Sequence, residues 1–375
     1  MKKWIGILLS VALIATMLAG CSSSSSSSTD TTAAAAETEE ATTGAADSET
    51  EEETTEAAAS TTTDYPTKTV TAVVPFGTTS GTDAMSRTLC TLAQEFLGQT
   101  ITVINKTGAS AAVGTTYVSQ QAADGYTLLT GSESTGLFRC WGTADLDYDD
   151  FIPILLYMRE CGIMITYADS PYETVEDLIE AARENPGKIT VGTTGTGGLP
   201  DVWWSILEYE FDVEFNRVAY DGSSDANTAL LGKHIEAFVA GTQTSYPLMT
   251  DGSVRVLAVM DNEAELDGYE DCPRLTDYYP DLAEYMPYGP FFVVEVAAGT
   301  DQAIVDTLTD AFMQAYETDE FQEYIGTCRD IPMGLTGDEA NEFMKNQQAK
   351  IWWLMYDIGE TEVCPSDYGV ERLEE

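Results

Sequence analysis

The chain has 375 residues and carries 63 acidic against 17 basic side chains, a formal net charge of −46 at pH 7. This charge argues against nucleic acid or an anionic membrane surface as a partner, although local dipoles still allow an anionic small ligand. His234 is the only histidine, so histidine zinc sites and Ser-His or Cys-His catalysis would all depend on it. Its place in a turn before an apolar run favours a solvated or capping role, and we predict no metal and no cofactor.

The N-terminus has the features of an export signal. Lys2 and Lys3 precede an apolar run, residues 4–18, that is too short for a typical membrane span. The run ends in LAGC, which resembles a bacterial lipobox; in such signals the peptide is cut before the cysteine, which then carries lipid. Residues 1–20 are therefore predicted to be a lipoprotein signal peptide and Cys21 the lipidation site, the alternative being an ordinary signal peptide with a cysteine nearby. We expect an extracytoplasmic protein, held to the cell surface or the periplasmic face of the membrane by lipid alone.

Residues 21–63 consist of the anchored cysteine followed by Ser, Thr, Ala, Glu and Asp almost throughout, with no aromatic residue. Such a segment cannot bury enough apolar surface to offset its chain entropy, and its acidic residues repel one another. We predict a disordered tether between the lipid and the folded part.

Six cysteines remain after Cys21, widely spaced and without a CxxC pair. Export permits disulfides, and six cysteines allow fifteen pairings. One or two bridges and none at all are equally compatible with the sequence. The six are Cys90, Cys140, Cys161, Cys272, Cys328 and Cys364.

From about residue 64 the chain repeats one pattern, an apolar strand followed by a loop of small residues and an amphipathic helix. Strands that alternate with helices predict an α/β fold with mostly parallel sheets covered on both faces. The remaining length of roughly 310 residues is enough for two domains with their own cores. The pattern occurs in TVTAVVPFGTTSGTD, ITVINKTGASAA, YTLLTGSESTG, KITVGTTGTGG, FNRVAYDGSSDAN and HIEAFVAGTQTSYPLMTDG with VRVLAVM.

Two helices carry capping signals at their starts. Thr174 with Asp177, and Thr336 with Glu339, match the spacing of a capping box ahead of apolar residues at helical intervals. The tryptophan pairs at 203–204 and 352–353 lie on such helices, where packing is favoured over ligand stacking.

Two apolar runs, CGIMITYA and GPFFVVEVAAG, fall outside the repeated pattern. They flank the block that begins near residue 171, as two hinge strands joining a pair of α/β domains would. We predict domain 1 at residues 64–165 and 290–375 and domain 2 at residues 166–289.

Several blocks of the chain resemble the substrate-binding proteins of tripartite tricarboxylate transporters, the Bug family. YPTKTVTAVVPF resembles the family's opening strand, and TVINKTGASAAVGTTYVSQQAADGYTLL its Asn-x-x-Gly-Ala…Gly…Asp-Gly-Tyr-Thr-Leu block. DLIEAARENPGKITVGTTGTGG and VAYDGSSDANTALLGKHIEAF resemble two further family segments. The resemblance implies a type II periplasmic-binding-protein fold, two domains joined by hinge strands with the ligand cleft between them, closing on the ligand as a Venus flytrap does.

The resemblance also implies a function. Members bind small carboxylates, including citrate, C4-dicarboxylates, acidic amino acids and aromatic acids, and pass them to a permease of one large and one small integral-membrane subunit. The chain would then be a monomeric capture protein and not an enzyme. Two alternatives stay open: a solute receptor for a sensor or another transporter class, and an enzyme on the same fold. The absence of a Gly-x-Ser-x-Gly elbow, a His-Glu-x-x-His motif, a Walker loop and a strand-borne Gly-x-Gly-x-x-Gly argues against the enzyme.

The loops between strands and helices are the predicted ligand site. Helix N-termini present unpaired N–H groups and partial positive charge, and small residues let a carboxylate approach them without a lysine or arginine. Ordinary turns use the same residues, and the resemblance favours the loops at 77–82, 107–112 and 193–198 over those at 132–135 and 221–225. The predicted ligand-binding residues are Phe76, Gly77, Thr78, Thr79, Ser80, Asp83, Gly108, Ala109, Ser110, Ala111, Ser132, Thr194, Gly195, Thr196, Gly197, Asp201, Gly222 and Ser223.

Two of these residues, Asp83 and Asp201, each begin a helix. Each is therefore either an N-cap or a group that accepts a hydrogen bond from a ligand ammonium or hydroxyl. Arg87 lies one turn further along the first of these helices. We predict that it pairs with a protein carboxylate and does not clamp the ligand.

The chain departs from the family pattern at two places. Thr78, Thr79 and Ser80 stand where the family usually has Pro-Gly-Gly, and a positive φ at Thr79 would cost about 1–2 kcal/mol. Either the loop differs, or hydroxyls replace backbone contacts. Asp201 stands where many relatives have histidine, and an extra carboxylate near the cleft disfavours a multiply anionic ligand and suits one with an amino group.

Overall fold

The computed structural model describes residues 64–78, 80–262 and 266–373. The predicted signal peptide at 1–20, lipidation site Cys21, tether at 21–63 and ligand-binding residue Thr79 lie outside the described residues. No helix among the residues described is both long and apolar enough to cross a membrane. All six cysteines after Cys21 lie in the described part and carry free thiols.

The strands and helices follow the predicted alternation over most of the chain. The strands are β1 (Val70–Val74), β2 (Ile101–Asn105), β3 (Thr127–Ser132), β4 (Phe151–Arg159), β5 (Gly162–Tyr167), β6 (Thr190–Thr193), β7 (Asn216–Ala219), β8 (Ala237–Gly241), β9 (Val254–Val259), β10 (Phe291–Ala297) and β11 (Ile331–Leu335). The α-helices are α1 (Gly81–Leu97), α2 (Ala112–Ser119), α3 (Phe138–Trp141), α4 (Val175–Glu184), α5 (Leu199–Phe211), α6 (Ser223–Leu231), α7 (Thr242–Thr250), α8 (Leu275–Tyr278), α9 (Gln302–Tyr316), α10 (Asp319–Cys328) and α11 (Gly337–Asp357). Short 3₁₀ turns lie at Glu133–Leu137, Tyr148–Asp150, Pro280–Tyr285 and Pro365–Tyr368.

The strands form two sheets. The first sheet has six strands in the order β11-β4-β10-β3-β1-β2, and the second has five in the order β7-β6-β8-β5-β9. Only the pairs β1–β2, β1–β3, β6–β7 and β6–β8 are parallel, and the other five pairs are antiparallel. The prediction of mostly parallel sheets is therefore wrong. Each βα unit does give parallel strands, but β10 and β5, the two apolar runs outside the pattern, lie antiparallel inside the sheets.

The chain passes between the sheets twice, once at residues 160–161 and again between β9 and β10. The predicted boundary at residue 165 falls within β5, whose hydrogen-bonded partners β8 and β9 both belong to the second sheet. The crossing segment is thus the short link that contains Glu160. The domain boundaries themselves stay a prediction.

The C-terminal helix α11 contacts the cores of both sheets. Near its start, Met344 packs with Phe291 of the first sheet, whereas Trp352 lies in the core of the second sheet with Trp203. At 1.5 Å per residue its 21 residues span about 31 Å, enough to reach from one core to the other. The predicted assignment of 290–375 to domain 1 alone does not describe this helix. Burial of Trp203, Trp204 and Trp352 supports the packing role predicted for these three.

Of the two predicted capping boxes, one forms and the other does not. Thr174 and Asp177 form the predicted capping box at the start of α4. Thr336 is the N-cap of α11, but its side chain makes no capping hydrogen bond, so the box predicted with Glu339 does not form. His234 is exposed in the turn before β8, as predicted.

Candidate functional site

A cavity of about 130 Å³ opens where strands of both sheets lead into their following loops. We call it the cleft cavity. Its wall is rich in hydroxyl groups and, among the described residues that line it, contains no Lys, Arg or His. The lining residues are Phe76, Ser80, Gly81, Thr82, Ser110, Ser132, Glu133, Ser134, Glu160, Thr194, Gly198, Leu199, Pro200, Asp221, Gly222, Ser223, Ser224, Val239, Gly241, Gln243, Thr244, Pro290 and Phe292.

Four helices, α1, α5, α6 and α7, begin at the cleft cavity. Ser80 caps α1 by accepting from the Asp83 amide at 3.1 Å, while Gly198, Gly222 and Gly241 stand at the N-caps of the other three with no side-chain cap. A helix start carries amide donors without intrahelical partners and a partial positive charge. The cavity wall therefore presents backbone amide donors and partial positive charge at these helix starts.

One of these helix starts is already occupied. The Gln243 amide in the first turn of α7 donates to Oε1 of Glu160 at 3.3 Å. A Cβ on Gly241 would overlap the Glu160 carboxylate, so glycine at this position leaves the space that the carboxylate fills. The starts of α1, α5 and α6 also line the cavity, but no carboxylate among the described wall residues accepts from their amides as Glu160 does at α7.

The loops of the two sheets touch around the cavity. A Cβ added to Gly81 at the start of α1 would lie 2.5 Å from Oε1 of Gln243 in α7. On another side, a Cβ added to Gly195 would lie 2.9 Å from Oγ of Ser110. These approaches narrow the opening between the two sheets.

Seven of the predicted site residues line the cleft cavity, and the other predicted residues that the structure describes do not. The loops at 132–135 and 221–225 supply seven lining residues, one more than the three loops that were favoured over them. The predicted residues that do line it are Phe76, Ser80, Ser110, Ser132, Thr194, Gly222 and Ser223.

In the first loop, Gly77, Thr78 and Asp83 do not line the cavity. Thr78 is exposed, and Asp83 is buried in the third position of α1, so it is not the N-cap. Its carboxylate accepts from Arg87 Nε at 2.8 Å and from Asn105 Nδ2 at 2.6 Å. The prediction that Arg87 pairs with a protein carboxylate is confirmed.

In the second loop only Ser110 reaches the cavity. Gly108 and Ala109 are exposed, and Ala111 packs against Phe138. Ala109, Ser110 and Ala111 all have positive φ, at 47°, 49° and 79°, a conformation that costs about 1–2 kcal/mol for each non-glycine residue. The backbone strain considered for the first loop is therefore present in the second, where it directs Ser110 inward.

In the third loop, Gly195, Thr196, Gly197 and Asp201 lie off the cavity. Gly197 adopts φ +77° against the indole of Trp141, and Thr196 is exposed. Asp201 is the third residue of α5 and not its N-cap. It accepts from the Gly197 amide at 3.0 Å and from Arg217 Nη1 at 3.3 Å, so it orders the loop through protein partners.

Two glutamates lie in the cavity wall, and sequence reasoning missed Glu160 and did not single out Glu133 within the less favoured loop at 132–135. Glu133 begins the 3₁₀ turn after β3, and Glu160 lies in the link between β4 and β5. Glu160 lies in the apolar stretch LLYMRECGIMI. The two adjacent charged residues, Arg159 and Glu160, are unusual in such a stretch and were the signal that could have identified this position. Its neighbour Arg159 does not neutralise it, because Arg159 Nη1 pairs with Asp261 Oδ2 at 2.5 Å.

Burial dominates the electrostatics of these two acids. It raises the pKa of Glu133 to about 7, against weaker lowering by hydrogen bonds from its own amide and from Ser132. It likewise raises the pKa of Glu160 to about 7, with the negative charge of Glu133 adding to the rise. Burial together with Glu160 also raises the pKa of Asp330 well above its usual range. The two glutamates of the cavity wall therefore ionise only at a free-energy cost.

Comparison with known proteins gives the same architecture. A protein of Cupriavidus necator, "UPF0065 protein in gbd 5'region", is 28% identical over 282 residues, 74% of this chain and 84% of that protein. Protein BugT of Bordetella pertussis is 25% identical over 288 residues, 76% of this chain and 87% of that protein. The solved structure of the periplasmic binding protein BugD matches with a TM-score of 0.72 at 24% identity, covering 79% of this chain and 99% of that one, which shows the same fold.

The family described as "Tripartite tricarboxylate transporter family receptor" matches residues 85–359, well over half of the chain. The predicted fold class, two α/β domains of the periplasmic-binding-protein type, is confirmed by the structural matches. The chain belongs to the tripartite tricarboxylate transporter family of extracytoplasmic solute-binding receptors.

Proposed function

We propose that the protein binds a small carboxylate in the cleft cavity, closes its two domains on it, and delivers it to the permease of a tripartite tricarboxylate transporter. The protein is held to the membrane by lipid on Cys21 and does not transform its ligand. The ligand-contacting groups are the cavity-lining residues of the predicted set, joined by the other hydroxyls and amides of the wall.

The observation that carries this proposal is the convergence of helix starts on a small cavity without basic side chains. The amides at the starts of α1 and α6 and the hydroxyls of Ser110, Ser132 and Ser223 offer hydrogen-bond donors from both sheets. A carboxylate gains charge-assisted hydrogen bonds from such donors. Because donors come from both sheets, a bound carboxylate would favour the closed arrangement.

Two solved structures of the same fold contain carboxylates. One Rhodopseudomonas palustris protein was solved with adipate and another with malate, at TM-scores of 0.71 and 0.68. Their identities to this chain, 22% and 19%, speak to the fold alone. The ligand class of this chain therefore depends on its own cavity.

A thermal-shift screen of the purified full-length protein tests the binding step. Succinate, malate, citrate, aspartate, glutamate and phenylacetate are compared with glycerol and putrescine. A ligand at a hundred times its Kd adds about 2.7 kcal/mol to the free energy of unfolding, a shift that is readily measured. We expect stabilisation by at least one carboxylate. Stabilisation by a neutral or cationic compound, with none by any acid, would contradict the proposal.

A matched pair of glycine variants locates the site. A Cβ at Gly222 in the cavity wall, or at Gly326 in α10 away from it, meets no atom within 4 Å. Both backbones accept a side chain, since the φ of Gly222 is extended at 174°. We expect Gly222→Leu to abolish the ligand-induced shift and Gly326→Leu to retain it. Equal loss in both variants would place the ligand elsewhere.

Delivery and anchoring are tested in cells. Deleting the gene is expected to stop uptake of the identified acid, whereas a sensor receptor would leave uptake intact and abolish a transcriptional response. Cys21→Ser is expected to release the protein from the membrane fraction. Retention of the variant in that fraction would contradict the lipid anchor.

A further inference from the structure

The wall of the cleft cavity contains two glutamates, and the charge of one affects the other. Glu133 is 8% exposed and Glu160 is 9% exposed. They come from different parts of the chain, Glu133 from the end of β3 and Glu160 from the link between the sheets. Both line the same small volume, and the charge of Glu133 acts on Glu160.

Neither glutamate has a cationic partner among the described residues. Oε2 of Glu133 is buried and has no hydrogen-bond partner. Glu160 receives the Gln243 amide at 3.3 Å, a long contact. The other titratable groups that act on Glu160 or feel its charge are Asp330, Tyr269, Cys161 and Cys328, and none of them supplies a positive charge.

A buried carboxylate without a partner is costly, and a second one beside it costs more. The chain uses arginine to neutralise such groups nearby, at Asp83, Asp201 and Asp261, but not in the cavity wall. Glu295 and Asp330 are also buried acids without a cationic partner in the described part of the chain, but of these four acids only Glu133 and Glu160 line the surface that a ligand would touch. A ligand cation placed there would satisfy the orphan oxygen of Glu133 and relieve the repulsion between the two acids.

The chemistry of the wall favours an ammonium group over a metal ion. Calcium takes six to eight oxygen ligands and magnesium demands octahedral geometry. In the described part of the chain no group of three or more His, Cys, Asp or Glu side chains is arranged to hold a metal ion. An ammonium needs only three acceptors, and two glutamates with the hydroxyl of Ser132 supply them.

We propose that the ligand carries a protonated amine as well as its carboxylate, and that Glu133 and Glu160 bind the amine. The inference rests on the proposed function, because the carboxylate remains at the helix starts. The ligand class is then an amino acid or a related amino carboxylate. The sequence analysis considered Asp201 as the carboxylate near a ligand amino group. In this proposal Glu133 and Glu160 bind the amine instead.

The test is a calorimetric titration of the full-length protein with ligand pairs that differ only in the amine. Suitable pairs are aspartate with succinate, glutamate with glutarate, and phenylalanine with 3-phenylpropionate. We expect the amino member of the best-binding pair to bind tighter by about ten-fold or more, the effect of a charge-assisted hydrogen bond. Equal or tighter binding of the deaminated member would overturn the amine inference and leave the carboxylate proposal standing. If no member of any pair binds, both are overturned.

Glutamine variants show whether the two glutamates are responsible. Glu133→Gln and Glu160→Gln are expected to weaken the amino ligand by about ten-fold each while leaving the deaminated partner unchanged or tighter. Glu295→Gln is the matched control, because Glu295 is a buried, unpaired glutamate of β10 that does not line the cavity. It is expected to keep the wild-type selectivity. Unchanged selectivity in both cavity variants would overturn the assignment, and circular dichroism confirms that each variant is folded.

Discussion

The first turns of α1 and α5 and the wall of the cleft cavity contain buried or largely buried carboxylates, but the two regions provide them with different partners. At the helix starts, Asp83 is held by Arg87 at 2.8 Å, and Asp201 by Arg217 at 3.3 Å and the amide of Gly197 at 3.0 Å. In the cavity wall, Glu133 and Glu160 have no cation at all among the described residues. Side chains that look alike in the sequence thus have opposite electrostatic surroundings.

This difference separates acids that are paired inside the protein from unpaired acids in the cavity wall. An acid paired inside the protein contributes to loop geometry and has no charge left for a ligand. An acid left unpaired in a cavity lowers the free energy of unfolding of the empty protein. A ligand that pairs with the acid restores that lost stability when it binds. Each of the following variants is designed to break or sharpen the distinction.

Removing Arg217 is expected to have the largest effect. Its guanidinium contacts Asp201, Glu208 and Glu360, so Arg217→Met leaves three carboxylates without their cation. Breaking a largely buried pair in this way costs about 3 kcal/mol. Chemical denaturation measures the loss. Arg183→Met is the control, because its pair with Glu180 is half exposed and is worth less than about 0.5 kcal/mol. Equal losses in both variants would contradict the structural role of Arg217.

Replacing the two cavity glutamates is expected to raise the free energy of unfolding of the empty protein, the opposite of removing Arg217. In the empty protein at pH 8, Glu133→Gln and Glu160→Gln remove charges that burial disfavours, so the double variant gains about 2 kcal/mol of unfolding free energy. Denaturation of the ligand-free protein at pH 8 measures the gain. A destabilised double variant would mean that a protein cation pairs with these acids.

The pH dependence of stability follows from the same raised pKa values. Burial raises the pKa of Glu295 to about 8 from 4.5, so between these values the folded protein holds a proton that the unfolded chain has released. The free energy of unfolding therefore falls as pH rises through this window, and Glu133 and Glu160 add to the slope up to about pH 7. Glu295→Gln is expected to remove about 2 kcal/mol of the decline between pH 6 and pH 7.5. Denaturant midpoints across that range test the slope, and an unchanged slope would contradict the buried, unpaired state of Glu295.

Asp83→Asn is expected to have the smallest effect. The asparagine side chain can still accept hydrogen bonds, but the negative charge that faces Arg87 is lost. The Arg87 side chain is 44% exposed, so water partly solvates its charge. We expect a loss of about 0.5–1 kcal/mol. The thermal midpoint measures it, with Thr78→Ala at an exposed position of the same loop as the control. A loss above about 3 kcal/mol would show a buried ion pair instead.

The sequence predicted the βα units because each carries its own signals, an apolar run, a loop of small residues and an amphipathic helix. It did not predict how β5 and β10 enter the sheets. Their apolar composition shows burial on both faces but carries no information about strand direction, which is set by pairing with strands far away in the chain. The capping box at Thr174 formed and the one at Thr336 did not, although both have the same spacing.

The candidate site was predictable to the extent that it is made of strand ends. Ser80, Ser110 and Ser223 were found because small hydroxyl residues at such loops are a local pattern. Glu160 was not found because its unpaired state depends on Arg159 turning to Asp261, about a hundred residues away in the chain. Asp201 was wrongly considered a ligand-facing carboxylate for a similar reason. Its partner Arg217 lies on the next strand, β7, and the sequence does not show that the two side chains meet.

The most direct test of the central claim is the number of protons exchanged when the ligand binds. Calorimetry at pH 7 in buffers of different ionisation enthalpy measures it, using the tightest-binding amino acid of the matched pairs. An ammonium beside Glu133 and Glu160 favours their charged forms, so we predict release of up to about one proton for each ligand bound, and none in the double glutamine variant. Proton uptake on binding would show that the ligand brings negative charge to these acids, and would contradict the account.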